Sequence, residues 1–407
     1  AVTPGASWAL RAALMQGSVF CAEVPADADP CRAPGCHRLG VNDVVDVAPH
    51  LRAVAGRARE LLHSSQPSLA LQEALHAAGR ASGVGSKWHH AVLRVRGAPH
   101  DGFWVRAILA FSQGAWATLH GSRFFVQQNW PQDAYYAPQR GGSGWEQYFE
   151  PIGSVPFSTR PRGEQLLEMD CEAVMNLTFS AFGDPEKLYP NRHSKKASEW
   201  RALAALAAAA WLKVRTDVQE VVETNWARII AGTTGSAVPP VLGIHLRGTD
   251  KYLRPVVKAP AYFPLVGAFI KHHDAKGGPP ARIFLATDDA SFKAALVDRY
   301  GNRVAQQAGG DVLRSEGRQA IWNANGSQHA HRRGLEVLVD TLLLARCSFL
   351  LKSSSAVSEF AVYLSPRLAA DSYDLNMDCA PLPSWAAHVH WSDKSHRAKT
   401  APVDCSK

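Results

Sequence analysis

Beyond Pro240 the chain alternates short apolar runs with longer helical stretches, and this alternation restricts the fold more than any other feature of the sequence. Val241 to Leu246 reads as a buried strand, 261–273 as a helix, 282–286 as a strand and 290–300 as a helix. The pattern continues with a helix at 334–346, a strand at 348–352 and a helix at 355–364. Short apolar strands separated by helices predict a parallel sheet wrapped on both faces. Such sheets bind ligands at the carboxyl ends of their strands, so the chemistry is expected there.

The first half has a different texture. Pro/Gly-rich turns such as Pro30 to Gly35 separate helical stretches at 51–62 and 69–79. Runs rich in Val, Phe, Ile and Leu at 91–96, 103–111 and 122–128 read as strands. Aromatic residues crowd this region: Trp104, Trp116, Trp130, Tyr135, Tyr136, Trp145, Tyr148 and Phe149. Burial in a core is the commoner fate of such side chains, ahead of service as sugar platforms. A Gly/Ser/Pro-rich segment spans Gly141 to Pro161, and 196–230 reads as one long helix or two consecutive ones. Ala231 to Pro240 is the clearest linker, which predicts an N-terminal α/β domain at 1–235 and a C-terminal one at 236–407.

Composition narrows the class. With 46% hydrophobic and 20% charged residues over 407 positions, the chain is globular, and its length favours two or three domains over one. No apolar run reaches the ~18 residues that span a bilayer. The Ala-rich run 202–212 comes nearest and is closed by Arg201 and Lys213. A start at Ala1 reads as a trimmed fragment, so membrane attachment is expected only through a segment outside this sequence. The net charge of +8 suits nucleic acid, anionic membranes or phosphorylated small molecules. Because the cations are scattered, with no Lys/Arg block, nucleic acid is not an expected partner.

The seven cysteines include a cluster at Cys21, Cys31 and Cys36 and a pair at Cys379 and Cys405, with Cys171 and Cys347 standing alone. None has CxxC spacing, so no metal is expected. Terminal clusters fit staples in an oxidising compartment with one thiol left over. The sequons at Asn176 and Asn325 point the same way.

Three stretches carry chemistry. In Gly243-Ile244-His245-Leu246-Arg247-Gly248-Thr249-Asp250-Lys251, strand alternation brings His245 and Arg247 out on one face at the carboxyl end. Gly248 permits a sharp turn, and Thr249, Asp250 and Lys251 stand at the rim. Arg247 and Lys251 together can grip a diphosphate without a metal, one as a planar fork and the other as a point charge. The plainer reading is a strand ending in a solvated turn. In Ile283 to Asp289 a strand runs into Asp288 and Asp289. These are either a metal-binding acid pair, a helix cap or a ligand contact. In Lys352-Ser353-Ser354-Ser355, hydroxyls and free amides at a helix start form an anion site or merely a cap. Upstream, Glu336 and Asp340 lie one helical turn apart, and Asp340 can accept from guanine N–H groups or be solvated. GxGxxG after a strand, GxxxxGK[ST], HExxH and GxSxG are all missing from the sequence.

At these stretches, about 241–365, the sequence resembles GDP-fucose-dependent fucosyltransferases of the core α1,6, nodulation and protein O-fucosyltransferase kinds. The first motif of that family, His-x-Arg-x-Thr-Asp-Lys, matches His245 to Lys251. The second, a strand ending Ala-Thr-Asp-Asp, matches Ala286 to Asp289, and the third matches Asp340, Phe349-Leu350 and Ser354-Ser355 in order. The resemblance implies a GT-B-like α/β fold of two Rossmann-type domains with the nucleotide sugar in the C-terminal one. It also implies inverting, metal-independent transfer of fucose from GDP-fucose to a glycan or glycoprotein acceptor, in the Golgi lumen. Arg247 would bind the β-phosphate with Ser354 or Ser355, while His245 and Asp340 would contact guanine. The core α1,6 enzymes carry a Glu four residues after the motif Lys, whereas Tyr252-Leu253-Arg254-Pro255 follows Lys251 here. That leaves Asp250 or an acid from the N-terminal domain as candidate base. Another sugar donor, or a non-catalytic glycan- or nucleotide-binding protein on the same fold, are the competing expectations.

Overall fold

The computed structural model describes residues 36–44, 47–83, 88, 91–95, 102–127, 134–152, 165–170, 173–174, 176–178, 195–231, 237–247, 259–308, 329–353, 355–375 and 382–389. It is an α/β protein with two parallel sheets. The chain divides into two compact units. One comprises 1–183, 209–213 and 326–331, and the other 184–208, 214–325 and 332–407.

In the first unit, strands β1 (Cys36–Leu39), β2 (Val92–Val95), β3 (Arg123–Val126) and β4 (Leu166–Met169) form a parallel sheet in the order β1-β4-β2-β3. Helices α1 (Ala48–Leu62) and α2 (Pro67–Ser82), both expected from the sequence, lie between β1 and β2 in the chain. The expected strand at 103–111 is corrected: these residues open helix α3 (Phe103–Leu119). The stretch is apolar all round, and α3 is buried almost throughout. A helix enclosed on every side shows no amphipathic period, so its local pattern mimics an interior strand. Gly114 lets α3 approach β3, because a Cβ there would come within 2.8 Å of the Phe124 ring.

Trp104, Trp116, Tyr135, Trp145, Tyr148 and Phe149 are all buried and form core, whereas Tyr136 is half-buried. Phe103 meets Tyr135 and Tyr148 edge-on at 5.5 and 5.0 Å, the arrangement that aligns ring edges with ring faces. Trp130 lies outside the described residues. The Asn176 sequon is not a surface loop: Thr178 is buried, and its hydroxyl donates to the Val174 carbonyl at 2.8 Å and contacts Ser112 Oγ at 2.7 Å. The Asn325 sequon and Cys21, Cys31, Cys171, Cys379 and Cys405 lie outside the described residues.

The second unit holds β5 (Val241–Leu246), β6 (Arg282–Thr287), β7 (Val304–Ala305), β8 (Phe349–Lys352) and β9 (Ser372–Asp374), parallel and ordered β7-β6-β5-β8-β9. The stretch expected as one helix or two is two, α4 (Lys195–Trp211) and α5 (Thr216–Ile230), and most of both packs within this unit. Helices α6 (Ala259–Asp274), α7 (Ala290–Tyr300), α8 (Ala330–Arg346) and α9 (Ala356–Leu364) complete it. Strand alternation sorts the layers. Leu242, Ile244 and Leu246, with Ile283, Leu285, Phe349 and Leu351, pack against Tyr262, Leu265, Val266 and Phe269 of α6 and Phe292 and Leu296 of α7. Each such fully buried side chain contributes about 1.5–3 kcal/mol by leaving water. Gly243 points to the opposite face, where an added Cβ would meet Cys347 Sγ at 3.0 Å and Leu344 Cδ2 at 3.2 Å. Glycine at this position therefore lets α8 lie directly on β5. Among the described residues no helix is long and apolar enough to cross a membrane.

Candidate functional site

The central strand β5 pairs with β8 so that Gly243 stands beside Leu350 and His245 beside Lys352; β8 then sets Lys352 beside Asp374 of β9. Neighbours in register point the same way, so Gly243, His245, Lys352 and Asp374 share the face that α8 covers. Helix α8 turns into β8 within two residues, Cys347 and Ser348, and so runs antiparallel to β5. Two residues of strand rise about 6.6 Å, which about four residues of helix match. Counting from the Gly243–Leu344 contact, Asp340 therefore lies about level with His245. Two residues read separately from the sequence are thus brought abreast.

Ser353 joins the two strand ends. Its N–H donates to the His245 carbonyl at 3.0 Å, and its Oγ accepts from the Arg247 N–H at 3.2 Å. Arg247 is thereby held where β5 ends. Ser355 is the N-cap of α9, but its side chain makes no capping bond. The residue is fully buried and its Oγ has no partner among the described residues. A buried hydroxyl without a partner is costly, and one at a helix start beside open amides suits an anion. Ser358 braces the turn, donating to the carbonyls of Ser353 at 3.0 Å and Ser355 at 3.1 Å. Asp250, Lys251 and Ser354 lie outside the described residues.

Lys352 is turned inward. Its Nζ stands 3.1 Å from Glu359 Oε2 and 3.2 Å from Asp374 Oδ2, and Arg201 Nε contacts Glu359 Oε1 at 2.6 Å. All four side chains are buried, and two cations balance two carboxylates. Lys352 is thus neutralised within the protein, under the turn that carries Ser353 and Ser355. Burial and the nearby Asp374 carboxylate push the Tyr262 phenol up, so it stays protonated. The sequence reading missed Arg201, Glu359 and Asp374. No local signal marks them, since each partner lies on a separate element.

Asp289 caps α7: its Oδ1 accepts from the N–H groups of Ser291 at 2.8 Å and Phe292 at 3.0 Å, and from Ser291 Oγ at 2.7 Å. The capping reading holds for this residue. Asp288 precedes it, half-buried at the end of β6. No cluster of three or more His, Cys, Asp or Glu side chains able to hold a metal ion occurs among the described residues. Asp340 Oδ1 accepts from Gln307 Nε2 at 2.9 Å. Cys347 is free and buried against β5, and burial pushes its thiol up, so it is chemically inert.

A parallel sheet whose central strand ends in a His and an Arg, next to a helix start, is an α/β arrangement with a carboxyl edge of the kind at which such sheets take ligands. No protein-family model and no curated protein matches the sequence. Solved structures do resemble it. Fucosyltransferase NodZ from Bradyrhizobium is 16% identical, over 68% of this chain and 94% of that one, with a TM-score of 0.39. A mutant of Arabidopsis thaliana FUT1 in complex with GDP is 10% identical, over 80% and 76% of the two chains, with a TM-score of 0.37. POFUT1 in complex with GDP is 11% identical, over 70% and 98%, with a TM-score of 0.35.

Proposed function

We propose that the chain is an inverting, metal-independent fucosyltransferase that moves fucose from GDP-fucose to a hydroxyl of a glycan or protein. The observation that carries this reading is the joint made by Ser353. It ties the Arg247 N–H at the end of β5 to the turn that leads into α9, where the buried Ser355 hydroxyl has no partner among the described residues. Arg247 would fork onto the β-phosphate, with the Ser355 hydroxyl and the amides of α9 completing the anion site, and Ser354 and Lys251 adding to it. His245 and Asp340 would take the guanine. As the C–O bond to fucose breaks, negative charge grows on the departing diphosphate, and fixed donors stabilise it without reorganising. Asp250 would take the acceptor proton, late in an oxocarbenium-like transition state. The sheet of the first unit would belong to an acceptor-side domain in a GT-B-like arrangement.

Calorimetric titration with GDP and UDP, each in EDTA, tests the donor reading. GDP is expected to bind without metal and UDP to fail. UDP binding, or a strict metal requirement, would return Asp288 and Asp289 to consideration as metal ligands and remove the GDP-fucose reading. A non-catalytic nucleotide-binding protein is the second reading, favoured by the lack of a carboxylate in 252–255. Slow donor hydrolysis without acceptor would exclude it.

The proposed setting is the secretory pathway, most specifically the Golgi lumen, on the strength of the cysteine clusters. Denatured without reductant, the chain should then show a single titratable thiol, that of Cys347. Titration of all seven would remove this setting.

A further inference from the structure

Gln307 follows the short strand β7 and is almost fully buried. Its backbone neighbours are fastened to α5: Arg228 Nη2 donates to the Gln306 carbonyl, and Asn225 Oδ1 accepts from the Ala308 N–H. With the chain pinned on both sides, the side chain reaches α8. There Nε2 donates to the Glu336 carbonyl at 3.1 Å and to Asp340 Oδ1 at 2.9 Å. Both partners are pure acceptors, since a main-chain carbonyl and an ionised carboxylate have no proton to give. The NH2 end of the amide must therefore face α8, and this fixes Oε1 as the outward end. Oε1 accepts no hydrogen bond from any described residue. The result is a second acceptor, held in a set orientation beside the Asp340 carboxylate.

We propose that Gln307 is a specificity-determining residue for the nucleotide base: it fixes the Asp340 carboxylate and sets its own Oε1 beside it, so that the two acceptors meet the adjacent N1–H and N2–H donors of guanine. The inference rests on the GDP reading above. Uracil offers one N–H between two acceptors, and adenine offers an amine beside an acceptor nitrogen, so neither matches two neighbouring acceptors. Hypoxanthine keeps N1–H and lacks the exocyclic amine, which makes IDP the discriminating probe. A site with acceptors committed to a donor rejects the analogue that lacks it, because one acceptor is left dry and unpaired.

The test compares GDP, IDP and inorganic pyrophosphate binding to the wild-type chain and to Gln307→Met and Gln307→Ala, with thermal melts of each. The wild type is expected to bind GDP about tenfold more tightly than IDP. Both variants should lose about tenfold in GDP affinity and bring the GDP-to-IDP ratio close to one, with pyrophosphate affinity unchanged. Gln307→Met keeps the length of the side chain and removes only the amide, which guards against a packing failure in the alanine variant. Gln307→Glu should lose at least as much, because it sets a second carboxylate against Asp340 and has no N–H to donate. A wild-type GDP-to-IDP ratio in the folded methionine variant overturns this role and leaves the GDP reading standing. Failure of the wild type to bind GDP overturns both.

Discussion

Arg247→Ala is expected to lower fucosyl transfer by about 10²–10³-fold, the range seen when one preorganised donor to developing negative charge is removed. Arg247 sits where β5 ends, half-buried, with its N–H bound to Ser353 Oγ at 3.2 Å. Its backbone is part of the joint between β5 and β8 and survives the substitution, so the fold should be retained. The loss is therefore one of charge and fork geometry, not of architecture. Lys352 on β8 cannot substitute, because Glu359 and Asp374 already hold it. Arg247→Lys should fall between the two, since it keeps the charge but loses the planar pair of donors. The measurement is donor hydrolysis and transfer to an acceptor panel, with thermal unfolding as the control. Near-wild-type turnover in a folded Arg247→Ala chain would sink the assigned role.

Lys352→Met is expected to destabilise the second unit by about 3–5 kcal/mol, the usual consequence of removing one partner from a buried ion pair. Glu359 and Asp374 would be left buried, with Arg201 still paired to Glu359. For a unit of this size the thermal midpoint should fall by about 10 °C. Lys352→Met combined with Asp374→Asn should recover part of the loss, because Arg201 and Glu359 still balance. A double-mutant cycle in urea measures that coupling. A single-variant loss below about 1 kcal/mol, the value typical of exposed pairs, would mean that the four side chains are not a buried unit in solution.

These two results separate what a local pattern carries from what it does not. The strands and helices from Val241 to Leu364 follow the sequence reading closely, because a strand buried on both faces and a helix with one apolar stripe each leave a mark within ten residues. Where the mark was missing, the reading failed. Helix α3 has no wet side to reveal its period, and β7 and β9 have three residues or fewer, too few for a repeat to register; β1 and β4 went unread as well. The site divides along the same line. The placement of His245 and Arg247 at the end of β5, and of Ser353 and Ser355 before α9, was legible, since strand ends and helix starts are local features. The Asp289 cap was legible for the same reason.

The sequence alone determined a parallel α/β architecture in the C-terminal half, the placement of His245 and Arg247 where β5 ends, and the list of ionisable and hydroxylic residues available there. Only the tertiary structure decided what those residues face. Arg201 finds Glu359 across 158 positions, and Gln307 finds Asp340 across 33. Lys352 turned inward to Glu359 and Asp374, partners that nothing in its local sequence names. The physical reason is that burial patterns are encoded in periodicity along the chain. The partner of a charge or an amide is instead chosen by distance and desolvation, which exist only once separate elements have packed.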